Sequence, residues 1–235
     1  MGSEESPPRT LAQAMKQIET LDASLAERLK AYREHSARLR PDVAKAYDAM
    51  VERLDILERG GIGPKVGEPM PDFALPDESG HLVSLSSLLT QGPAVISINR
   101  GHWCPYCRLE LRALAARHDE IRATGAQVVS IMPDVAEFTG SYRSGNALPF
   151  SILSDVDLGY SLLLSLVFWV GNDVKSLYDD LGVDLGRYQG NRSYFLPIAA
   201  KFIVDQSGVV RAREVNVEFR QRMDPDAIIA ALRSP

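Results

Sequence analysis

Cysteine is almost missing from this chain. There are two in 235 residues, and they stand three apart. A single close pair cannot build a disulfide framework, which excludes the small cross-linked classes of secreted protein. Long apolar runs are also missing. None approaches the roughly 20 residues that span a bilayer as a helix. A basic excess is missing too. Lys and Arg number 26 against 31 Asp and Glu, a net charge of -5, so there is no electrostatic footprint for nucleic acid. Met1 to Thr10 is polar and bears prolines, without the apolar stretch of a secretory signal. A cytoplasmic location is the default expectation.

What remains is an ordinary apolar content, 45%, in a length that supports one sizeable core plus an extension. Residues 10–58 read as two helices. Leu11, Met15, Ile18, Leu21, Leu25 and Leu29 recur at roughly helical spacing. Pro41 suits the first turn of a second helix carrying Val43, Tyr47, Met50, Leu54 and Leu57 on one side. Gly60, Gly61 and Gly63-Pro64 then stop it. The expected organisation is a helical extension over 1–62 and a folded domain over 63–235.

Beyond the break, strand and helix signals alternate. Phe73 to Leu75 and Val83 to Leu85 flank an Asp77-Glu78-Ser79-Gly80 turn. Ala94 to Asn99 and Gln127 to Met132 are short apolar runs suited to buried strands. Pro105 to Ala123 and Val135 to Tyr142 read as helices, and Phe150 to Leu153 as a short strand. Tyr160 to Trp169 is strongly apolar and fits a pocket wall, plain core or an oligomer interface. Phe202 to Val204 and Val209 to Arg213 flank an Asp205-Gln206-Ser207-Gly208 hairpin turn, and Asp224-Pro225 caps a last helix over 226–233. This order predicts an α/β fold with a central mixed sheet flanked by helices.

The chemistry sits in Trp103-Cys104-Pro105-Tyr106-Cys107, where a buried strand hands over to a helix. Pro105 fits the first helical position, which makes Cys104 the cap. Unpaired amides and the positive end of the helix dipole then favour a thiolate at Cys104. Cys107, one turn on, can close a short disulfide. Cys104 is expected to attack and Cys107 to resolve. A CxxC pair in this context points to a thioredoxin-like domain. A zinc site needs about four ligands, and His35, His81, His102 and His118 show no ligand spacing. No metal or cofactor is therefore expected. The reading requires adjacent sulfurs with an opening to solvent.

The neighbours carry paired readings. Arg100 stabilises the thiolate or binds an anionic substrate, or it is a solvated loop arginine. Trp103 covers the sulfur or packs at the sheet edge. His102 shuttles protons or is an exposed loop histidine. Tyr106 tunes the loop, and Glu110 is a structural partner.

Three stretches resemble a known family. Val66-Gly67-Glu68-Pro69-Met70-Pro71-Asp72-Phe73-Ala74-Leu75 is similar to the opening motif of the AhpC/TSA, or peroxiredoxin, family. Arg100 to Leu111 resembles a subgroup of it that keeps CxxC, and Leu196 to Asp205 resembles its late strand. The resemblance covers roughly 64–235. It implies a thioredoxin fold, antioxidant thiol chemistry, a peroxide or disulfide substrate, and a reductant of the thioredoxin or glutathione type. The family's Pro-x-x-x-Thr-x-x-Cys pattern, registered on Cys107, places Arg100 at the proline and Cys104 at the threonine. The family's late-strand arginine, and the cis-proline of thioredoxin-like relatives, would both fall at Ala199. The peptide before Ala199 is expected to be trans. The family register favours attack by Cys107, whereas helix-end electrostatics and exposure favour Cys104.

Four functions follow for test. The first is a thiol-disulfide oxidoreductase using Cys104 and Cys107. The second is a thiol peroxidase with Cys107 peroxidatic. The others are a redox-inert binding module and a cluster-binding protein. The helices at 10–58 either mediate a homodimer or cover the domain's own surface.

Overall fold

Three helices precede the sheet in the computed structural model, which describes residues 7–56 and 62–234. They are α1 (Leu11–Glu19), α2 (Leu25–Leu39) and α3 (Pro41–Ile56). The spacing alone predicts two. The break falls where Ser24 opens a new helix with a capping box: its hydroxyl accepts from the Glu27 amide at 3.3 Å, and the Glu27 carboxylate accepts from the Ser24 amide at 2.8 Å. The apolar spacing runs on through this break and conceals it. Leu57, Gly60 and Gly61, read above as the end of the last helix and its stop, lie outside the described residues.

The chain then makes a short antiparallel pair, β1 (Ala74–Pro76) and β2 (Leu82–Ser84), around the turn at Asp77–Gly80, followed by α4 (Leu85–Leu89). Next come β3 (Ala94–Ile98), α5 (Pro105–Ala116), α6 (His118–Arg122), β4 (Gln127–Met132), α7 (Ala136–Gly145) and β5 (Ser151–Ser154). The single helix expected over 105–123 is broken at Arg117, a non-helical residue that caps both pieces.

The stretch 160–169 divides into α8 (Gly159–Leu163) and β6 (Val167–Trp169). Asp155 sets the start of α8: its carboxylate accepts from the Tyr160 and Ser161 amides, each at 2.9 Å. Tyr160, Leu164, Leu166 and Phe168 join the core, while Leu162, Leu163 and Trp169 face solvent. A pocket of about 260 Å³ lies here, lined by Leu158, Leu162, Val167 and Phe195 among others, but by neither cysteine.

After α9 (Asn172–Asp180) and α10 (Leu185–Gln189), β7 (Phe195–Pro197) pairs antiparallel with β6. β8 (Ala200–Val204) and β9 (Val210–Val215) form the late hairpin, and α11 (Pro225–Arg233) closes the chain behind an Asp224 cap. The main sheet has the order β5-β4-β3-β8-β9. β3, β4 and β5 run parallel, and β8 pairs antiparallel with both β3 and β9. The expected α/β fold with a mixed central sheet is the observed one.

Alternation along the strands divides the core between the two faces. Ala94, Ile96 and Ile98 pack with Tyr32, Tyr47 and both cysteines. Val95 and Ile203 pack with Leu111, Ile121, Ile228 and Ile229. The N-terminal helices thus cover the face on which the cysteines lie.

Candidate active site

β3 is central and fully buried, and it ends pointing at the turn that carries the cysteines. Gly101 makes that turn possible at φ 145°, where a Cβ would stand 2.3 Å from Trp103 Nε1. Asp134, just beyond β4, anchors the turn by accepting from the His102 amide at 2.7 Å. Cys104 follows as the cap of α5, with Pro105 at the first helical position, as expected.

The sulfurs are neighbours and share a side-chain hydrogen bond. Their environments split them. Burial opposes a Cys104 thiolate, but the bond from Cys107 and the Arg100 and Arg222 guanidiniums outweigh it and bring the thiol down to about 6. Burial pushes the Cys107 thiol well up, and its bond to Cys104 adds to this. The helix end contributes less than the sequence implies. No helix amide makes a regular cap bond to the Cys104 sulfur, and the Cys107 amide gives only the smallest of these attractions. Two arginines and a thiol supply most of the stabilising field.

Exposure does not distinguish the sulfurs, contrary to expectation. Cys104 is 1% exposed and Cys107 0%. Four tyrosines lie close enough to Cys104 to feel its charge: Tyr32 from α2, Tyr47 from α3, Tyr106 from α5 and Tyr178 from α9. Tyr106 meets Tyr32 edge-on at 5.3 Å and Phe219 at 5.4 Å, so it ties the site to the N-terminal helices rather than merely tuning the turn. The opening to solvent that the dithiol reading requires is absent from this closed arrangement, so either function depends on local opening of the aromatic roof.

Arg100 is not a solvated loop residue. It is 1% exposed, and its guanidinium carbon lies 3.9 Å from the Phe219 ring centroid. Nη2 donates to the Tyr178 hydroxyl, while Nε and Nη1 are buried without a partner. Among the described residues no carboxylate pairs with it. Trp103 packs edge-on to Tyr178 at 5.0 Å and flanks Arg100, with its ring 5.6 Å from the guanidinium carbon. His102 is half-buried rather than free in a loop: Nδ1 lies 2.9 Å from Asp134 Oδ2, and the ring stacks on Phe138.

Behind Cys107 lies a buried charge network. Glu110 Oε1 is 2.5 Å from Lys201 Nζ, and Oε2 accepts from Arg222 Nε at 2.9 Å. Burial opposes the Glu110 carboxylate, but Lys201 and Arg222 hold it below the ordinary range. Arg222 extends Nη2 to within 3.7 Å of the Cys107 sulfur. Glu110 is thus the structural partner it was expected to be. Arg222 was not singled out from sequence; it lies in the irregular segment before α11, where no spacing relates it to the cysteines. Tyr47 read only as one of the apolar positions of its helix, and Tyr32 was not singled out. Ala199 is buried beside β8, and no peptide among the described residues is cis.

Residues 66–213 match the family model described as the AhpC/TSA family. The chain belongs to the AhpC/TSA family. The chloroplastic putative peroxiredoxin Q of Oryza sativa subsp. indica is 26% identical over 145 residues, 62% of this chain and 56% of that protein. The thiol:disulfide interchange protein DsbE of Pseudomonas aeruginosa is 28% identical over 153 residues, 65% of this chain and 67% of that protein. This chain thus spans little more than half the length of the rice relative it matches. Among solved structures, peroxidoxin BcpB from Mycobacterium tuberculosis aligns at TM-score 0.57 and 20% identity, covering 72% of this chain and 97% of that one. That likeness shows the thioredoxin fold common to both.

Proposed function

We propose that this chain is a thiol-disulfide oxidoreductase in which Cys104 is the nucleophile and Cys107 the resolving thiol. One observation carries the reading: one sulfur is held anionic near neutrality while its hydrogen-bonded neighbour is kept protonated. A thiolate attacks far faster than a thiol, and a protonated neighbour is the form that waits to resolve. Oxidation removes two electrons and one proton from the pair and forms the Cys104–Cys107 bond. A thioredoxin- or glutathione-type thiol restores it. Replacing Cys104 with Ser is expected to abolish dithiol–disulfide turnover; variant activity equal to the parent contradicts the proposal.

A second reading, thiol-dependent peroxide reduction, is favoured by burial, because both sulfurs lie under an aromatic roof that a small oxidant passes more easily than a protein does. On this reading the attacked peroxide still meets Cys104, since burial disfavours the Cys107 thiolate that the family register would use. The Cys104 thiolate takes one peroxide oxygen to become a sulfenic acid and the other leaves as an alcohol or water. Cys107 then displaces water and closes the disulfide. Stopped-flow oxidation by hydrogen peroxide tests this, with background-rate consumption as the contrary result.

Helices α2 and α3 belong to the working unit on either reading, because Tyr32 and Tyr47 complete the roof.

A further inference from the structure

Arg100 differs from the other buried arginines beside the site. Arg222 has Glu110, and Arg220 has Glu218 and Asp48. Arg100 has the Tyr178 hydroxyl, aromatic faces and two unpartnered N–H groups. A buried cation of this kind is costly unless an anion faces it. Among the described residues no carboxylate pairs with Arg100; it feels the Tyr178 hydroxyl first and then the Cys104 sulfur, Tyr47 and Cys107. Burial keeps both tyrosines and Cys107 protonated, which leaves the Cys104 sulfur, in the same buried aromatic cluster, as the anion that answers Arg100.

The charge balance of the site therefore changes with its redox state. In the dithiol form the Cys104 thiolate neutralises Arg100. In the disulfide form the same sulfur is neutral, and the guanidinium is left buried with no counter-ion. Removing one member of a buried ion pair destabilises more than the pair itself stabilises. Arg222 suffers no such loss, because Glu110 stays with it in both forms.

We infer that Arg100 makes the disulfide the less stable form of this protein, so that the Cys104–Cys107 couple is oxidising. The chain then gives its disulfide up to thiols and does not reduce ordinary disulfides. A couple whose reduced form is selectively stabilised is a strong oxidant. The reaction is disulfide protein plus two thiols, giving the Cys104 thiolate, the Cys107 thiol, one external disulfide and one proton. This places the chain after a step that oxidises it, by peroxide or another strong oxidant, and before a step that uses the disulfide it makes from two thiols. The inference rests on the dithiol reading above and fixes the direction in which that dithiol works.

The test is equilibration of the full chain with mixtures of reduced and oxidised glutathione, with the two forms counted by mass spectrometry. The parent is expected to remain largely dithiol in mixtures that fully oxidise a thioredoxin-like pair. Arg100→Met is expected to shift the equilibrium toward the disulfide by about a hundredfold or more, the size of losing a buried charge partner. Should that variant not fold, the parent decides alone through chemical denaturation of its two forms. The disulfide form is expected to unfold at lower denaturant than the dithiol form, against the usual stabilisation by a cross-link. A disulfide form of equal or greater stability overturns the inference and leaves the dithiol reading standing. Failure to form any Cys104–Cys107 disulfide with excess diamide or hydrogen peroxide, oxidants far stronger than glutathione disulfide, overturns both.

Discussion

Arg222 approaches Cys107 from 115 residues further along the chain, with its Nη2 3.7 Å from the sulfur. The guanidinium arrives from the irregular segment before α11. Glu110 holds it, and Lys201 holds Glu110. The charge beside the cysteines therefore depends on a buried network that spans α5, β8 and the C-terminal segment.

Removal of Arg222 tests that dependence. Arg222→Met takes away a positive charge that favours both thiolates, so the half-point of Cys104 alkylation is expected to rise above its parent value. It also leaves Glu110 with Lys201 alone, and breaking a buried pair in this way costs about 3–5 kcal/mol. Chemical denaturation reads the loss, and an unchanged alkylation half-point contradicts the assigned role.

The roof is open to a separate test. Tyr32 packs edge-on against Tyr106 beside the cysteines. Tyr32→Ala is expected to speed alkylation of Cys104 by roughly tenfold or more by making local opening easier. Truncation of a buried aromatic also costs about 3–5 kcal/mol of stability. Labelling no faster than in the parent shows that access runs by another path.

Gly101 carries a steric requirement. At φ 145° an alanine Cβ meets Trp103 Nε1 at 2.3 Å and Asp134 Oδ1 at 3.0 Å. Gly101→Ala is expected to lose on the order of 1–3 kcal/mol, the cost of a residue forced into such backbone, and to slow Cys104 chemistry by displacing the turn. A thermal midpoint equal to the parent's argues against the geometry described.

Stability of the reduced protein has a defined pH dependence. Cys104 is depressed in the folded state from an ordinary value of 9.0 to about 6. Its contribution is complete above pH 9 and is lost as pH falls through 6, because the unfolded chain binds the extra proton in that window. Cys107 is raised instead, so above pH 9 the unfolded chain loses a proton that the folded chain keeps, and stability falls. The difference in unfolding free energy between the parent and a Cys104→Ser, Cys107→Ser double variant is expected to rise from pH 6 to 9 and fall beyond. A flat difference contradicts the split.

The parts of this fold that were legible in sequence are those set by local signals. β4 is apolar but for Gln127 at its start and Ser130 within it, and its observed bounds, Gln127–Met132, are the expected ones. Pro105 marked the start of α5 through its missing donor. The break before α2 was concealed because leucines continue at helical spacing across Thr20 to Ser24. α9, α10 and β7 escaped notice because they are short and follow a stretch whose apolar residues face both core and solvent. Within the site, the cysteine pair was legible from its spacing. The burial of Arg100 was not, since its cage adds Tyr47, Tyr178 and Phe219 to the neighbouring Trp103, and only the tertiary path brings those three in.

The central claim is that Cys104 alone is a thiolate near neutral pH. Alkylation of the native, reduced chain across pH, with mass spectrometry to locate the label, measures this directly. The account predicts that Cys104 is labelled first, with a half-point near pH 6, and that Cys107 stays unlabelled until well into alkaline conditions. Labelling that begins at Cys107, or a Cys104 half-point at the 9.0 of an ordinary thiol, contradicts it.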